Sequence, residues 1–242
     1  MARWRKTLAL LATLWLGSWP AAAGSSLTVV ELFTSQGCSS CPPANAFLGE
    51  LAERDDLLAL SFHVDYWDYI GWKDVFASPV NSRRQRDYAR SLGFRYVFTP
   101  QMVIQGAAQA TGTDRAAILG GISAQQKHSR VPLTLGHGAD SGTMTVAMAA
   151  VAGGEPADVW LAVFDHERIT PVKSGENRGR AIHNFNVVRD FRHIAVWRGE
   201  ALEISASLPE VAVLENDACA VIVQSRRTGR ILGAAKIAIK GE

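Results

Sequence analysis

The rhythm of apolar positions along this chain changes near residue 131, and most of what can be read from it follows from that change. In the first half, continuous apolar runs alternate with stretches of three- and four-residue periodicity. Val29, Val30, Leu32 and Phe33 make the first run, which turns polar at Thr34-Ser35-Gln36-Gly37. Over 42–54, Ala44, Phe47, Leu48 and Leu51 recur at helical spacing behind Pro42-Pro43. Proline is tolerated in a first helical turn because its N–H would be unpaired anyway. LLALSFHV at 57–64 is unbroken and of strand length, which suits a strand covered on both faces. Strand, helix, strand in this order predicts a βαβ unit with parallel strands and a right-handed crossover.

The next stretch, DYWDYIGWKD at 65–74, carries four aromatics and no clean period, so it is expected as an ordered loop or broken helix. Ser78-Pro79 predicts a helix start and Gly93 a helix end, with Arg83, Arg84, Arg86 and Arg90 on a solvated face between them. YVFTPQMVI at 96–104 is strand-like but interrupted by Thr99-Pro100. A proline cannot donate to a sheet ladder, so Pro100 fits the first residue of a strand. That strand would be entered through a special peptide bond, cis being one form of it. Gln105-Gly106 should turn the chain into a short partner near 109–111, and Thr113 or Asp114 should cap a helix over 115–126.

Beyond Pro132 the helical rhythm disappears. Short runs at 133–135, 143–150, 158–164, 181–189, 201–204, 219–224 and 231–239 are separated by turn residues such as Gly153-Gly154, Gly175, Gly199 and Thr228-Gly229. Strands at this spacing predict an antiparallel, sandwich-like arrangement. The expected organisation is therefore an α/β unit at 27–131 followed by a β-rich unit at 132–242.

Composition alters this picture mainly at the N-terminus. Arg3, Arg5 and Lys6 precede a short apolar run, and Ala21-Ala22-Ala23 fits a cleavage site, so 1–23 reads as a secretory signal peptide. After its removal no membrane anchor is expected, and the protein should be secreted or periplasmic. The chain of 242 residues carries a formal charge of +2, and losing those three basic residues with no acidic one leaves −1. That balance lacks the basic footprint of a nucleic-acid binder. An exported chain meets an oxidising compartment, yet three cysteines are too few for a disulfide-stapled scaffold.

Two of those cysteines, Cys38 and Cys41, form a CxxC at the start of the first helix. Backbone N–H groups and the positive end of the helix dipole lie there, which favours a thiolate and lowers its pKa. The pair therefore reads as a redox-active dithiol. A structural bridge and a zinc half-site are the alternatives. The first would close too small a loop to stabilise much, and the second lacks another CxxC. Cys219, in ACAVIV, reads as an inert buried side chain.

Four motifs, VVELFTSQGCSSCPPA, FHVDYWDYIGWKD, TPQMVIQG and GENRGR, resemble the secreted domain-of-unknown-function family numbered 1223, within the thioredoxin-like superfamily. The resemblance implies a thioredoxin-like βαβ domain with a cis-proline, followed by the β-rich region. It implies that Cys38, the more exposed thiol, attacks a substrate disulfide, and that Cys41 resolves the mixed disulfide. It also implies that Pro100 packs beside the pair and that Thr99 offers its backbone to an extended peptide. The glycine-proline setting usual in thioredoxins is absent, since Gln36-Gly37 precede Cys38 and Ser39-Ser40 separate the cysteines.

Ser39 and Ser40 could donate hydrogen bonds to a thiolate. His63 could accept a proton near the thiols or bind a metal, against the default of a core histidine. Asp65 could assist deprotonation of Cys41 or cap a loop. Trp67 and Trp72 could form a lid, although packing of the aromatic stretch is the simpler expectation. GENRGR at 175–180 should be a hairpin turn, with reach to the redox site as its other reading. Asp165-His166-Glu167 is expected in a loop. The function expected is thiol–disulfide exchange with protein thiols or disulfides, or with a small thiol, without cofactor or metal. A partner-binding module with a fixed Cys38–Cys41 bridge, and copper handling by the thiolates, are the alternatives.

Overall fold

The computed structural model describes residues 26–140, 142–209 and 217–239. The expected signal peptide at 1–23 lies outside them. The first half follows the sequence reading closely. Strand β1 (Thr28–Thr34) leads to helix α1 (Pro42–Ala52) and returns as β2 (Leu57–His63), parallel to β1 with Thr28 opposite Leu57 and Thr34 opposite His63. A single 3-10 turn (Asp68–Ile70) lies in the aromatic stretch. Helix α2 (Pro79–Ser91) is capped by the Ser78 hydroxyl, which accepts from the Val80 N–H. Strands β3 (Gln101–Ile104) and β4 (Ala108–Thr111) form the expected hairpin, and α3 (Arg115–Gln126) is capped by Asp114.

The second half supplies β5 (Leu133–His137), β6 (Thr143–Met148), β7 (Ala157–Pro171), β8 (Ala181–Trp197), β9 (Leu202–Ser207), β10 (Ala218–Ser225) and β11 (Ile231–Ala238). Here the structure revises the expectation. Four of these strands extend the first sheet, giving the order β11-β10-β7-β8-β2-β1-β3-β4. The join is a parallel contact between β2 and β8 at Ser61 and Val187. Among the described residues, β5, β6 and β9 alone make a second sheet. The sandwich is therefore partial, and the large sheet continues through the boundary expected near Val131.

The period-two alternation explains the layers. On one face, Val29, Phe33, Leu58, Leu60 and Phe62 pack with Tyr88 of α2. On the other face, Val30, Leu32, Leu57 and Ala59 pack with Phe47, Leu48 and Leu51 of α1 and with Ile118 and Ile122 of α3. The three-stranded sheet places Leu133, Met144, Val146 and Ala206 against Val159, Leu161, Val163 and Val221 of the large sheet.

Strands β7 and β8 run to 15 and 17 residues, far past their apolar stretches. Asp165-His166-Glu167 therefore sits within a strand, not in a loop. Asp165 is buried because Arg168 and Arg189 pair with its carboxylate at 3.0 and 2.9 Å. The Arg-rich helix is likewise only partly solvated, since Arg84 is buried.

Cys219 lies buried on β10, with its thiol 3.7 Å from the Met144 sulfur. Burial pushes this thiol up to about 11. A raised folded-state pKa keeps the group neutral, and the stability it contributes is lost only as pH climbs past the unfolded value toward the folded one. Native protein at pH 8 should therefore leave Cys219 unmodified by iodoacetamide over hours, whereas urea-unfolded protein should react within minutes. Mass spectrometry after quenching distinguishes the two.

Candidate functional site: a clasped disulfide at the end of the first strand

Three successive tight turns carry the chain from β1 into α1. Gly37 N–H donates to Ser35 Oγ at 3.0 Å, Cys38 N–H to Ser35 O at 3.2 Å, and Cys41 N–H to Cys38 O at 3.2 Å. Cys41 is the N-cap residue of α1, and its carbonyl accepts from Ala44 and Asn45. Cys38 and Cys41 are joined in a disulfide with their Cα atoms 5.4 Å apart. Ser40 Oγ lies 3.3 Å from Cys38 Sγ, and Ser39 and Ser40 are exposed. Cys38 is expected to be the more exposed thiol, and the structure buries both cysteines, Cys38 at 1% exposed and Cys41 at 0%.

The cover comes from three directions. Thr99 and Pro100 arrive through a cis peptide bond just before β3. A Cβ added at Gly112 would lie 2.9 Å from both the Pro100 and Ala44 Cβ atoms. Pro100 thus packs by the first turn of α1 only because residue 112 has no side chain. Gly112→Ala is expected to cost roughly 1–3 kcal/mol through overpacking, measured by urea denaturation. On a second side, the aromatic loop folds over Gly37, where a Cβ would sit 3.3 Å from Ile70 Cδ1 and 3.4 Å from Trp67 Cβ. The Trp67 indole N–H donates to Thr99 Oγ1 at 2.7 Å. Packing is the reading that the geometry bears out, because Trp67 packs on the core and also lies against Gly37 beside the cysteines.

The third side is the turn between β7 and β8. The Asn177 side-chain amide donates to both Gln36 O and Cys38 O, each at 2.9 Å, while its own Oδ1 accepts from Arg180 at 3.0 Å. Glu176 accepts from the Ser39 N–H at 3.3 Å. Ser174 Oγ donates to Gly71 O at 2.5 Å, tying the turn to the aromatic loop. Gly175 has φ +71° and faces Trp72, so a side chain there would meet both strain and a close contact. GENRGR is thus a hairpin turn that also reaches the disulfide.

Gln36 lies beneath this cover with all its polar groups paired. Its N–H donates to Asp74 Oδ2 at 2.8 Å and its Nε2 to Thr170 Oγ1 at 3.0 Å, while its Oε1 accepts from Trp72 at 2.9 Å. His63 Nδ1 donates to the same Asp74 Oδ2 at 2.7 Å, and both side chains are fully buried. Burial alone would raise the Asp74 carboxyl. The charge and hydrogen bond of His63 and the N–H groups of Gln36 and Phe76 outweigh it and hold the carboxyl below its ordinary value. Thr34 donates to Asn45 Oδ1 at 2.8 Å, which ties the end of β1 to α1.

Most of the residues expected at the site from the sequence therefore converge. Cys38, Cys41 and Ser40 touch, Ser39 meets the hairpin, Pro100 reaches α1, and Thr99 is bridged by Trp67 toward the Cys loop. His63 is connected indirectly, through Asp74 and Gln36. Asp65 instead accepts from Ser82 Oγ at 2.5 Å and so anchors α2. Gln36, Asp74, Asn177 and Glu176 were not singled out individually. Their only sequence signal is that they fall within the four motifs. Among the described residues no three His, Cys, Asp or Glu side chains converge as a metal site, and no helix is long and apolar enough to cross a membrane.

The crystal structure of a protein from Agrobacterium tumefaciens is similar, with 31% identity over 90% of this chain and 96% of that one and a TM-score of 0.78. The HBP35 protein of Porphyromonas gingivalis shares the fold with 14% identity, a TM-score of 0.60, and coverage of 88% of this chain and 75% of that one. No curated protein matches. A family model, described as a protein of unknown function (DUF1223), matches residues 29–224, and the chain belongs to that family.

Proposed function

We propose that the protein is an exported thiol–disulfide oxidoreductase with a thioredoxin-like core, in which Cys38 exchanges with substrate and Cys41 resolves. The observation that carries this is the Cys38–Cys41 pair at the strand-to-helix turn, with the cis Thr99-Pro100 peptide brought to the same helix. The parallel β1–α1–β2 unit followed by the β3–β4 hairpin and α3 supports the thioredoxin-like reading. The basic and apolar N-terminal sequence supports export to the periplasm or beyond.

In one turnover a thiolate attacks Cys38 Sγ, the Cys38–Cys41 bond breaks, and Cys41 leaves as a thiolate that takes up a proton. A second thiol attacks the mixed disulfide, releasing a substrate disulfide and the Cys38 thiol. Two electrons pass from the two substrate thiols to the protein disulfide, and both protons end on Cys38 and Cys41. The reverse sequence reduces a substrate disulfide.

The burial of Cys38 favours a second reading, a binding module with a fixed bridge. Copper handling by the thiolates lacks a gathered ligand set, since among the described residues no three His, Cys, Asp or Glu side chains converge as a metal site. Equilibration in glutathione buffers, followed by alkylation and gel shift, separates the first two readings. A redox-active pair should titrate with a midpoint between roughly −270 and −120 mV, the span of dithiol oxidoreductases. A pair that stays oxidised below about −300 mV is a structural bridge.

A further inference from the structure

We infer that the tip of the β7–β8 hairpin restricts the dithiol to low-molecular-weight thiols and keeps polypeptide thiols out. This rests on the redox reading above and narrows its substrate class. Exchange needs an incoming thiolate close to Cys38 Sγ and in line with the bond it breaks. Only Ser39 and Ser40 present this loop to solvent. Ser40 Oγ, 3.3 Å from the sulfur, is an exposed side chain whose rotation takes picoseconds to nanoseconds. A small thiol can use the space that such a rotation opens.

A cysteine within a polypeptide brings flanking backbone on both sides and needs a wider approach. The hairpin tip stands on one side of that approach. Moving it breaks both Asn177 hydrogen bonds, the Glu176 bond to Ser39 and the Ser174 bond to Gly71. The second wall is the aromatic loop, whose Trp67 is bonded to Thr99, the residue whose backbone an extended peptide would use. Both walls are tied together through Ser174 and Gly71, so opening one disturbs the other. Asn177 is the positioning residue here, since one buried amide holds the carbonyls on both sides of Gly37.

The test uses the oxidised protein lacking residues 1–23, mixed with either glutathione or reduced, unfolded ribonuclease A at equal thiol concentration. Loss of the Cys38–Cys41 bond is followed by alkylation and gel shift. Glutathione should react at least tenfold faster per thiol. Asn177→Ala should narrow the ratio of the two rate constants at least threefold. A fault in the cysteine chemistry itself would lower both rates and leave the ratio unmoved. Ser174→Ala, which touches neither cysteine, should narrow the ratio in the same direction if Asn177→Ala does not fold. Equal wild-type rates with the two thiols, or ratios unchanged in both variants, would overturn the inference while leaving the redox reading intact. A disulfide inert to both thiols when native, yet reduced by glutathione in urea, would overturn the redox reading and this inference with it.

Discussion

Cys38→Ser should abolish exchange with glutathione disulfide, lowering the rate by about a thousandfold or more, because the attacking sulfur is gone. Cys41→Ser should instead accumulate one glutathione per chain, held on Cys38, because nothing remains to displace it. The asymmetry follows from position rather than exposure, since both cysteines are buried. Cys38 is in the loop beside the exposed Ser39 and Ser40, with Ser40 Oγ touching its sulfur. Cys41 begins α1 and is followed at once by Pro42 and Pro43, which fix the chain in the first helical turn. Mass spectrometry of each variant after incubation with glutathione disulfide reads the outcome. Trapping on Cys38→Ser instead would reverse the roles, and trapping on neither would sink the proposed chemistry.

Arg84→Met should destabilise the fold by about 3–5 kcal/mol, the range found when a buried ion pair loses one partner. Glu31 sits in the middle of β1 with no solvent exposure, and Arg84 of α2 is its counter-ion at 2.7 Å. Tyr88 donates to the other carboxylate oxygen, and the guanidinium also bonds Gln224 at 3.1 Å and lies over the rings of Phe62, Tyr88 and Phe191. Burial would lower the Arg84 pKa, but the Glu31 carboxylate opposes it and the guanidinium stays charged. Burial also raises Tyr88 well above its usual range, so it remains a neutral donor. Methionine restores some packing and leaves the carboxylate uncompensated. The Glu31→Leu/Arg84→Met double variant should recover most of the loss, because apolar replacement of a whole buried pair is often close to neutral. Urea denaturation of the three variants checks this. A single-variant loss below about 1 kcal/mol would mean that Glu31 is not buried as a charge.

The two halves of the molecule differ in how much could be read in advance. From β1 through α3 the elements follow local signals: proline at the first turn of α1 and α2, Ser78 and Asp114 as caps, and Pro100 immediately before β3. These signals act within a few residues, so the sequence carries them directly. The strands after 131 were also legible, but not their partners. An alternating pattern says which face of a strand is apolar and nothing about which strand lies beside it. The lengths of β7 and β8 were underread because the parts beyond their apolar runs, 165–171 and 190–197, carry polar and charged side chains paired across the strands, such as Asp165 with Arg189 and His193 with Asp158.

For the disulfide site, the sequence by itself determined the cysteine pair and its place between a buried strand and a helix. Those depend on residue type and short spacing. Only the tertiary structure decided that the sulfurs are covered and what covers them. Asn177 meets the Cys38 carbonyl across 139 positions of sequence, and the bond exists because β8 adds to the edge of β2 and swings the β7–β8 turn over the loop. A buried carbonyl must find a donor somewhere. Which donor it finds is set by how strands pair over long range, and no local pattern encodes that choice.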